Sequence, residues 1–122
     1  MGRHAAFSLG FLFAEPQTPE SIQIRLRGDT SHRRSSIKVL PRFVCSDGFS
    51  FSVQASSIHG SQPQNETGPY STVECGALSE PVPDLLPFMQ QEDGIPPEHG
   101  IYRHVPVELI VKVVNDHGGL VF

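Results

Sequence analysis

The sequence predicts an α+β fold: a small antiparallel β-sheet with one C-terminal amphipathic helix packed on it, and long irregular loops. A β-hairpin pattern over residues 37–56 and a further strand-like run over 70–76 predict the sheet, and a helical pattern after Val105 predicts the helix. The 11 glycines and 11 prolines among 122 residues indicate much loop. A chain of this length holds one domain.

The predicted hairpin joins IKVLPRFVC (37–45) to FSFSVQAS (49–56), both rich in β-branched and aromatic residues. A two-residue loop would place Phe43 on the face of Ser50, Ser52 and Gln54. A three-residue loop over 46–48 gives one consistent apolar face, and we therefore expect it. It also places Gly48 where a left-handed backbone is needed. The side chains expected on the apolar face are those of Phe43, Cys45, Phe49, Phe51 and Val53.

The next predicted strand is YSTVECG (70–76), with Val73 and Cys75 facing the core and Tyr70, Thr72 and Glu74 facing outward. It follows a polar loop over 57–69 and precedes an irregular, proline-rich region over 77–100.

The predicted helix lies within VPVELIVKVVNDHGG (105–119), with Pro106 at its first position and Gly118 as its C-cap. The many valines leave a strand open as the alternative. One helical face is expected to carry Val107, Ile110, Val111 and Val114.

Residues 1–36 are expected to be a poorly ordered extension or tail, and residues 37–122 a single α+β domain. Alternation of Ile22, Ile24 and Leu26 with polar residues leaves a docked edge strand as the alternative. The apolar stretch AAFSLGFLFA (5–14) faintly resembles a signal peptide, but no clean cleavage site follows it. The Asn65 sequon would matter only in a secreted protein.

The net charge of −4 is unevenly distributed. Residues 1–42 carry seven Lys/Arg and three Asp/Glu (+4), whereas residues 43–122 carry two and ten (−8). An acidic body of this kind favours a basic partner over nucleic acid, although an acidic surface also serves solubility alone. The basic run of Arg25, Arg27, Arg33, Arg34 and Lys38 is interpreted as a solvated tail.

The only two cysteines, Cys45 and Cys75, form no CxxC pair and are expected to be reduced in an intracellular protein. No apolar run reaches the length of a membrane span. The spacing of the six histidines matches no metal motif, so we assign no metal, cofactor or catalytic residue. Cys75 with His59 could form a nucleophile and base, but a thiol on the core face is usually inert.

The hairpin register also predicts a candidate binding site on the outer face of the sheet. Arg42 falls beside Ser52 and Leu40 beside Gln54, and the next strand adds Tyr70 and Glu74. The 57–69 loop, with His59 and Asn65, could fold over this patch. It could bind a small polar ligand or a peptide, the alternative being an ordinary solvent-facing sheet surface.

Residues 38–119 resemble a family of small uncharacterised proteins of tailed phages and prophages. The resemblance lies in VLPRFVCSDGFSFSVQAS, GPYSTVECG and IYRHVPVELIVKVVNDHGG. Where that family often carries a Tyr-Cys-Ser-Pro-Arg-like run, this chain has residues 59–64, HGSQPQ, without the Cys or the Arg. The resemblance implies a phage accessory protein in the cytoplasm of a bacterial host.

Three functions are therefore considered. The first is a non-catalytic host-takeover or counter-defence protein whose acidic body binds and blocks a bacterial host or defence protein. The second sequesters a nucleotide-type small molecule, with Arg42 pairing a phosphate and Tyr70 stacking on a base. An enzyme ranks last, because no nucleophile, base and orienting group converge. Direct nucleic-acid or membrane binding is not expected, and a homo-oligomer is left open.

Overall fold

The protein is an α+β structure built around a four-stranded antiparallel sheet. The computed structural model describes residues 14–28, 39–90 and 94–121. The sheet order is β2-β3-β4-β5. In chain order the elements are β1 (Ala14–Glu15), α1 (Pro19–Arg27), β2 (Phe43–Val44), β3 (Ser50–Gln54), β4 (Thr72–Gly76), short 3₁₀ helices over Pro83–Phe88 and Pro97–His99, β5 (Ile101–Pro106), α2 (Val107–Asp116) and β6 (Leu120–Val121).

The hairpin between β2 and β3 has the predicted three-residue loop. Phe43 lies opposite Phe51, and the Cys45 N–H donates to the Phe49 carbonyl at 2.8 Å. Gly48 adopts a φ of +96°, which a residue with a Cβ rarely does. The register prediction is confirmed, although β2 begins at Phe43 and is shorter than the predicted arm. Ile37 and Lys38, where that arm was expected to begin, lie outside the described residues.

Strand β5 was not predicted, and a β-bulge explains its irregular pattern. Val105 lies opposite Val73 and Tyr102 opposite Cys75, so β5 uses three residue steps where β4 uses two. Both Tyr102 and Val105 therefore face the core, which a strict alternation would forbid. The extra residue is accommodated at His104, whose φ is +56°.

Helix α2 covers the core as predicted, and the strand alternative for this segment is wrong. Its buried face consists of Val107, Ile110, Val113 and Val114, whereas Val111 is only half-buried. Pro106 ends β5 directly before the helix, and Gly118 follows its last turn with a φ of +91°. The observed helix thus differs from the predicted one at one face position, where Val113 is buried in place of Val111, and at both ends. Pro106 is the N-cap instead of the first helical residue, and His117 is the C-cap instead of Gly118.

The edge strand considered as the alternative for residues 22–26 is wrong, because this segment forms helix α1. Ile22 and Leu26 are fully buried, while Ile24 between them is 63% exposed. Positions 22 and 26 are one helical turn apart and share a face, whereas position 24 points the opposite way. Thr18 caps the helix by accepting from the Ser21 N–H at 3.1 Å, and Pro19 occupies its first turn.

Helix α1 is tied to the C-terminal part of the chain. The Gln17 N–H donates to Asn115 Oδ1 at 2.7 Å, and Asn115 Nδ2 donates to the Gln17 carbonyl at 2.9 Å. Strand β1 pairs with β6, where Glu15 lies opposite Leu120. The expectation that residues 1–36 form a poorly ordered tail is thereby corrected for residues 14–28, whereas residues 1–13 and 29–38 lie outside the described part.

The two cysteines are free, and β3 lies between the segments that carry them. Two strand spacings of about 4.8 Å separate those segments by roughly 9–10 Å, beyond the reach of a disulfide. Burial and the charge of Asp47 raise the pKa of Cys45 to about 12. Burial and the charge of Glu74 also raise the pKa of Cys75.

We therefore expect the folded protein to react slowly with a thiol reagent at pH 8, and the denatured protein to react fast at both cysteines. Only on the order of 10⁻⁴ of the Cys45 thiols are ionised at that pH when folded. Stopped-flow labelling with and without guanidinium, in the absence of reductant, measures this difference. Thiols that stay unreactive in denaturant would instead reveal a disulfide and contradict the structure.

Neither α1 nor α2 is long and apolar enough to cross a membrane, and the other helical turns in the described ranges are shorter still.

Candidate functional site

The outer face is the side of the β2–β5 sheet that points away from the core. The register of the sheet places Ser52 opposite Gly76 and Gly76 opposite Ile101, so these residues form one row across three strands. Arg42 directly precedes β2, and continuing the Phe43–Phe51 pairing by one residue extends the row to it. The next row contains Gln54 and Glu74.

Arg42 and Glu74, the charge pair predicted to share a patch, lie in different rows and do not contact each other. Arg42 Nη2 instead donates to Ser50 Oγ at 2.9 Å and to the Ala77 carbonyl at 2.7 Å. Ser79 adjoins this contact, since its Oγ accepts from the Ser50 N–H at 3.0 Å. The Arg42 side chain is therefore directed towards the turn that follows β4.

Gln54 has a structural role that the pattern did not predict. Its Oε1 accepts from the Leu40 N–H at 2.7 Å, and its Nε2 donates to the Leu40 carbonyl at 2.9 Å. Backbone pairing between β2 and β3 begins at Phe43, and before that residue the Gln54 side-chain amide pairs with the Leu40 backbone in place of a strand. Gln54 is only 8% exposed and Leu40, expected on the outer face, is 6% exposed, so neither offers a free group to a ligand.

The prediction that Tyr70 faces outward is wrong. Tyr70 precedes the start of β4 and is 2% exposed, with its hydroxyl donating to the Asn65 carbonyl at 2.7 Å. The Gln23 side chain of α1 bonds both the N–H and the carbonyl of Tyr70. A ring held in this way cannot stack on a bound base. A Tyr70→Ala variant would lose core packing, so a loss of binding in it would not identify a binding site.

The 57–69 loop folds over the Glu74 end of the outer face, as the sequence suggested. The Gly60 N–H donates to Glu74 Oε1 at 2.8 Å, and the His104 N–H donates to the Gly60 carbonyl at 2.9 Å. Arg103 lies against the same glycine, because a Cβ at Gly60 would be 2.6 Å from Arg103 Nε. Glu74 is thus half-buried and used to hold the loop.

His59 and Asn65 both serve the conformation of this loop. His59 Nδ1 lies 2.6 Å from the Oγ of the buried Ser56. Asn65 Oδ1 accepts from the N–H groups of Thr67 and Gly68 at 3.2 and 2.8 Å. Of the predicted site residues, Arg42 and Ser52 therefore keep side-chain donors at the surface of the outer face, while Gln54 and Tyr70 are buried.

The structure adds Ser50, Ser79 and Gly76 to the surroundings of Arg42, and sequence reasoning missed all three. A signal existed for Ser50, because alternation along β3 places it on the same face as Ser52. No signal existed for Ser79, which lies in the irregular region after β4.

The candidate nucleophile and base lie on opposite sides of the sheet. Cys75 faces the core, whereas His59 adjoins Gly60 above the outer face. Within the described ranges, no three His, Cys, Asp or Glu side chains lie close enough together to hold a metal ion.

A second surface feature lies on α2 and the first 3₁₀ helix. Lys112 Nζ lies 2.7 Å from Asp116 and 3.0 Å from Asp84, and these hydrogen bonds raise the pKa of Lys112. Glu108 is exposed one helical turn before Lys112. Two carboxylates thus pair with the Lys112 ammonium, and a third lies one helical turn away on the same helix. We call Asp84, Glu108, Lys112 and Asp116 the acidic cluster.

Comparison with known proteins gave no match among family models, curated proteins or solved structures.

Proposed function

We propose that the protein is a non-catalytic binding protein that uses its acidic cluster to occupy, and so block, a basic surface of a partner protein. The observation that carries this proposal is the geometry of the cluster. Asp84 comes from one element and Glu108 and Asp116 from another. Lys112 pairs with Asp84 and Asp116, and the four side chains together still carry a net charge of −2.

The partner chemistry follows from that charge. A negative patch attracts a surface rich in Lys and Arg and speeds its association, particularly at low ionic strength. Surfaces of that kind commonly hold nucleic-acid phosphates. The carboxylates would take the place of those phosphates and compete with the nucleic acid.

The resemblance to phage and prophage accessory proteins supplies the biological setting for the proposal. In that setting the partner is a host or anti-phage defence protein in the bacterial cytoplasm. Small acidic proteins suit such a role because blocking a basic groove requires complementary charge and no catalytic activity.

Affinity capture from a bacterial lysate, repeated with neutralised variants, tests the proposal. We expect the parent protein to retain a basic, nucleic-acid-binding partner at low salt and to release it as the salt concentration rises. The double variant Glu108→Gln, Asp116→Asn should retain several-fold less of it at an unchanged melting temperature.

Glu20→Gln is the matched control, since Glu20 is also an exposed acid in the first turn of a helix but lies on α1. It should retain the partner as the parent does. Retention of the same proteins by the parent and the double variant, or retention of none at any salt, would contradict the proposal.

A further inference from the structure

In the row of the outer face that begins at Arg42, the side chains change from charged to polar to apolar across the sheet. Arg42 supplies a cation, Ser52 a hydroxyl, Gly76 no side chain, and Ile101 an apolar side chain that is 47% exposed. Charge, hydrogen bonding and apolar surface are therefore separated across four adjacent strands.

Hydrogen-bonding side chains cluster at the Arg42 end of this row, where Ser50 and Ser79 lie beside it. Ser50 Oγ accepts from Arg42 Nη2, Ser52 Oγ accepts from Gln54 Nε2 at 3.0 Å, and Ser79 Oγ accepts from the Ser50 N–H. Among the described residues, none of these three hydroxyls donates a hydrogen bond, and Arg42 uses only one of its nitrogens. Since a hydroxyl that already accepts can still donate its proton, the group can meet several acceptor oxygens together.

No acidic side chain within the described ranges pairs with Arg42. Glu74, the carboxylate of the neighbouring row, is directed to the Gly60 N–H and is not paired with Arg42. Arginine with several hydroxyl donors matches a tetrahedral oxyanion such as phosphate, because each oxygen accepts more than one hydrogen bond.

Gly76 leaves open surface beside these donors. A Cβ at this glycine would meet only the Gly100 carbonyl, at 3.4 Å, so the space above the strand is not filled. With strands about 4.8 Å apart, the surface from Ser52 to Ile101 spans roughly 10 Å, enough for one flat ring to lie over Gly76 against Ile101.

We propose that this row, together with Ser50 and Ser79 beside its Arg42 end, binds a small molecule that carries a phosphate at one end and a flat heterocyclic ring at the other, as a nucleoside monophosphate does. Arg42, Ser50, Ser52 and Ser79 hold the phosphate, and the ring lies on Gly76 and Ile101. The site is independent of the acidic cluster and does not require Tyr70.

Calorimetric titration with a panel of nucleoside monophosphates, the matching nucleosides and inorganic phosphate tests the proposal. We expect at least one monophosphate to bind, its nucleoside to bind more weakly because the phosphate contacts are lost, and inorganic phosphate to bind more weakly because the ring contacts are lost. Replacing Arg42 by Gln should weaken monophosphate binding by about 10- to 100-fold, the loss typical of charge-assisted hydrogen bonds.

Two further variants separate the two halves of the site. Gly76→Ala places a methyl group where the ring would lie, so it should weaken monophosphate binding and leave phosphate binding unchanged. Ser52→Ala removes one phosphate donor without touching Arg42, which guards against a folding defect in Arg42→Gln caused by its lost bond to Ala77.

Arg103→Gln is the matched control, because it removes the same charge from an exposed arginine elsewhere on this face. It should bind the monophosphate as the parent does. The proposal is overturned if no probe binds at millimolar concentration, if Arg42→Gln binds as the parent does, or if Arg103→Gln loses as much affinity as Arg42→Gln.

Discussion

Replacing Phe51 by Ala is expected to lower the free energy of unfolding by about 3–5 kcal/mol. Phe51 is fully buried in β3, the strand that pairs with both β2 and β4. Its ring contacts Phe43 edge-on at a centroid distance of 5.9 Å and Phe49 at 5.0 Å. The substitution leaves a cavity among aromatic rings that cannot collapse without moving the hairpin. Equilibrium unfolding in urea measures the loss.

Val44→Ala is the control for this experiment. Val44 lies on the adjacent strand, points away from the core and is 42% exposed, so its loss should be well below that of Phe51. A loss below about 1 kcal/mol for Phe51→Ala would show that the register of the hairpin is wrong.

Replacing Leu26 by Ala is expected to cost about 2–5 kcal/mol, since its side chain is fully buried between α1 and the remaining core. Ile24→Ala should cost less than about 0.5 kcal/mol because this side chain is on the solvent side of the same helix. The pair discriminates the two conformations that the sequence allows here. In an edge strand, residues 22, 24 and 26 would share one face and lose similar amounts on truncation.

A shortened chain that begins at Ser36 extends the same test. It lacks both Ile22 and Leu26, so we expect a loss at least as large as that of Leu26→Ala. A shortened chain that melts within a few degrees of the full-length protein, together with equal losses at positions 24 and 26, would show that α1 does not pack on the core.

The hairpin was predictable because its determinants are local. One Asp-Gly turn and the two runs of residues that flank it fix which side chains share a face, and only one loop length gives an apolar face. Helix α2 was predictable for a similar reason, since its buried positions, from Val107 to Val114, recur at the helical period over about two turns.

Helix α1 and strand β5 were missed for different physical reasons. Apolar residues at positions 22, 24 and 26 fit an alternating strand, and they also fit a helix in which only positions 22 and 26 are buried. Which of the two conformations forms depends on contacts with residues about 50 to 100 positions away. In β5 the bulge at His104 breaks the alternation that identifies a strand.

The candidate site was partly predictable. Arg42 and Ser52 follow from the hairpin register alone. The position of Tyr70 depends on where β4 begins, and the role of Gln54 depends on a side chain replacing a backbone partner, neither of which alternation can predict. Ser79 lies in the turn after β4 and reaches the candidate site because Arg42 bonds the Ala77 carbonyl and the Ser50 N–H bonds Ser79 Oγ. These contacts are long-range and leave no pattern in the local sequence.

The contacts between residues 14–28 and 107–121 also constrain how the chain folds. Pairs such as Gln17 with Asn115 and Glu15 with Leu120 are about 100 residues apart. On a ribosome, α1 is synthesised long before α2 exists, and a nine-residue helix is marginal in water without a surface to pack on. The N-terminal segment can therefore pack in place only after the C-terminal segment has been synthesised. Contacts between residues so far apart in sequence are typical of slow folding, on the order of milliseconds to seconds.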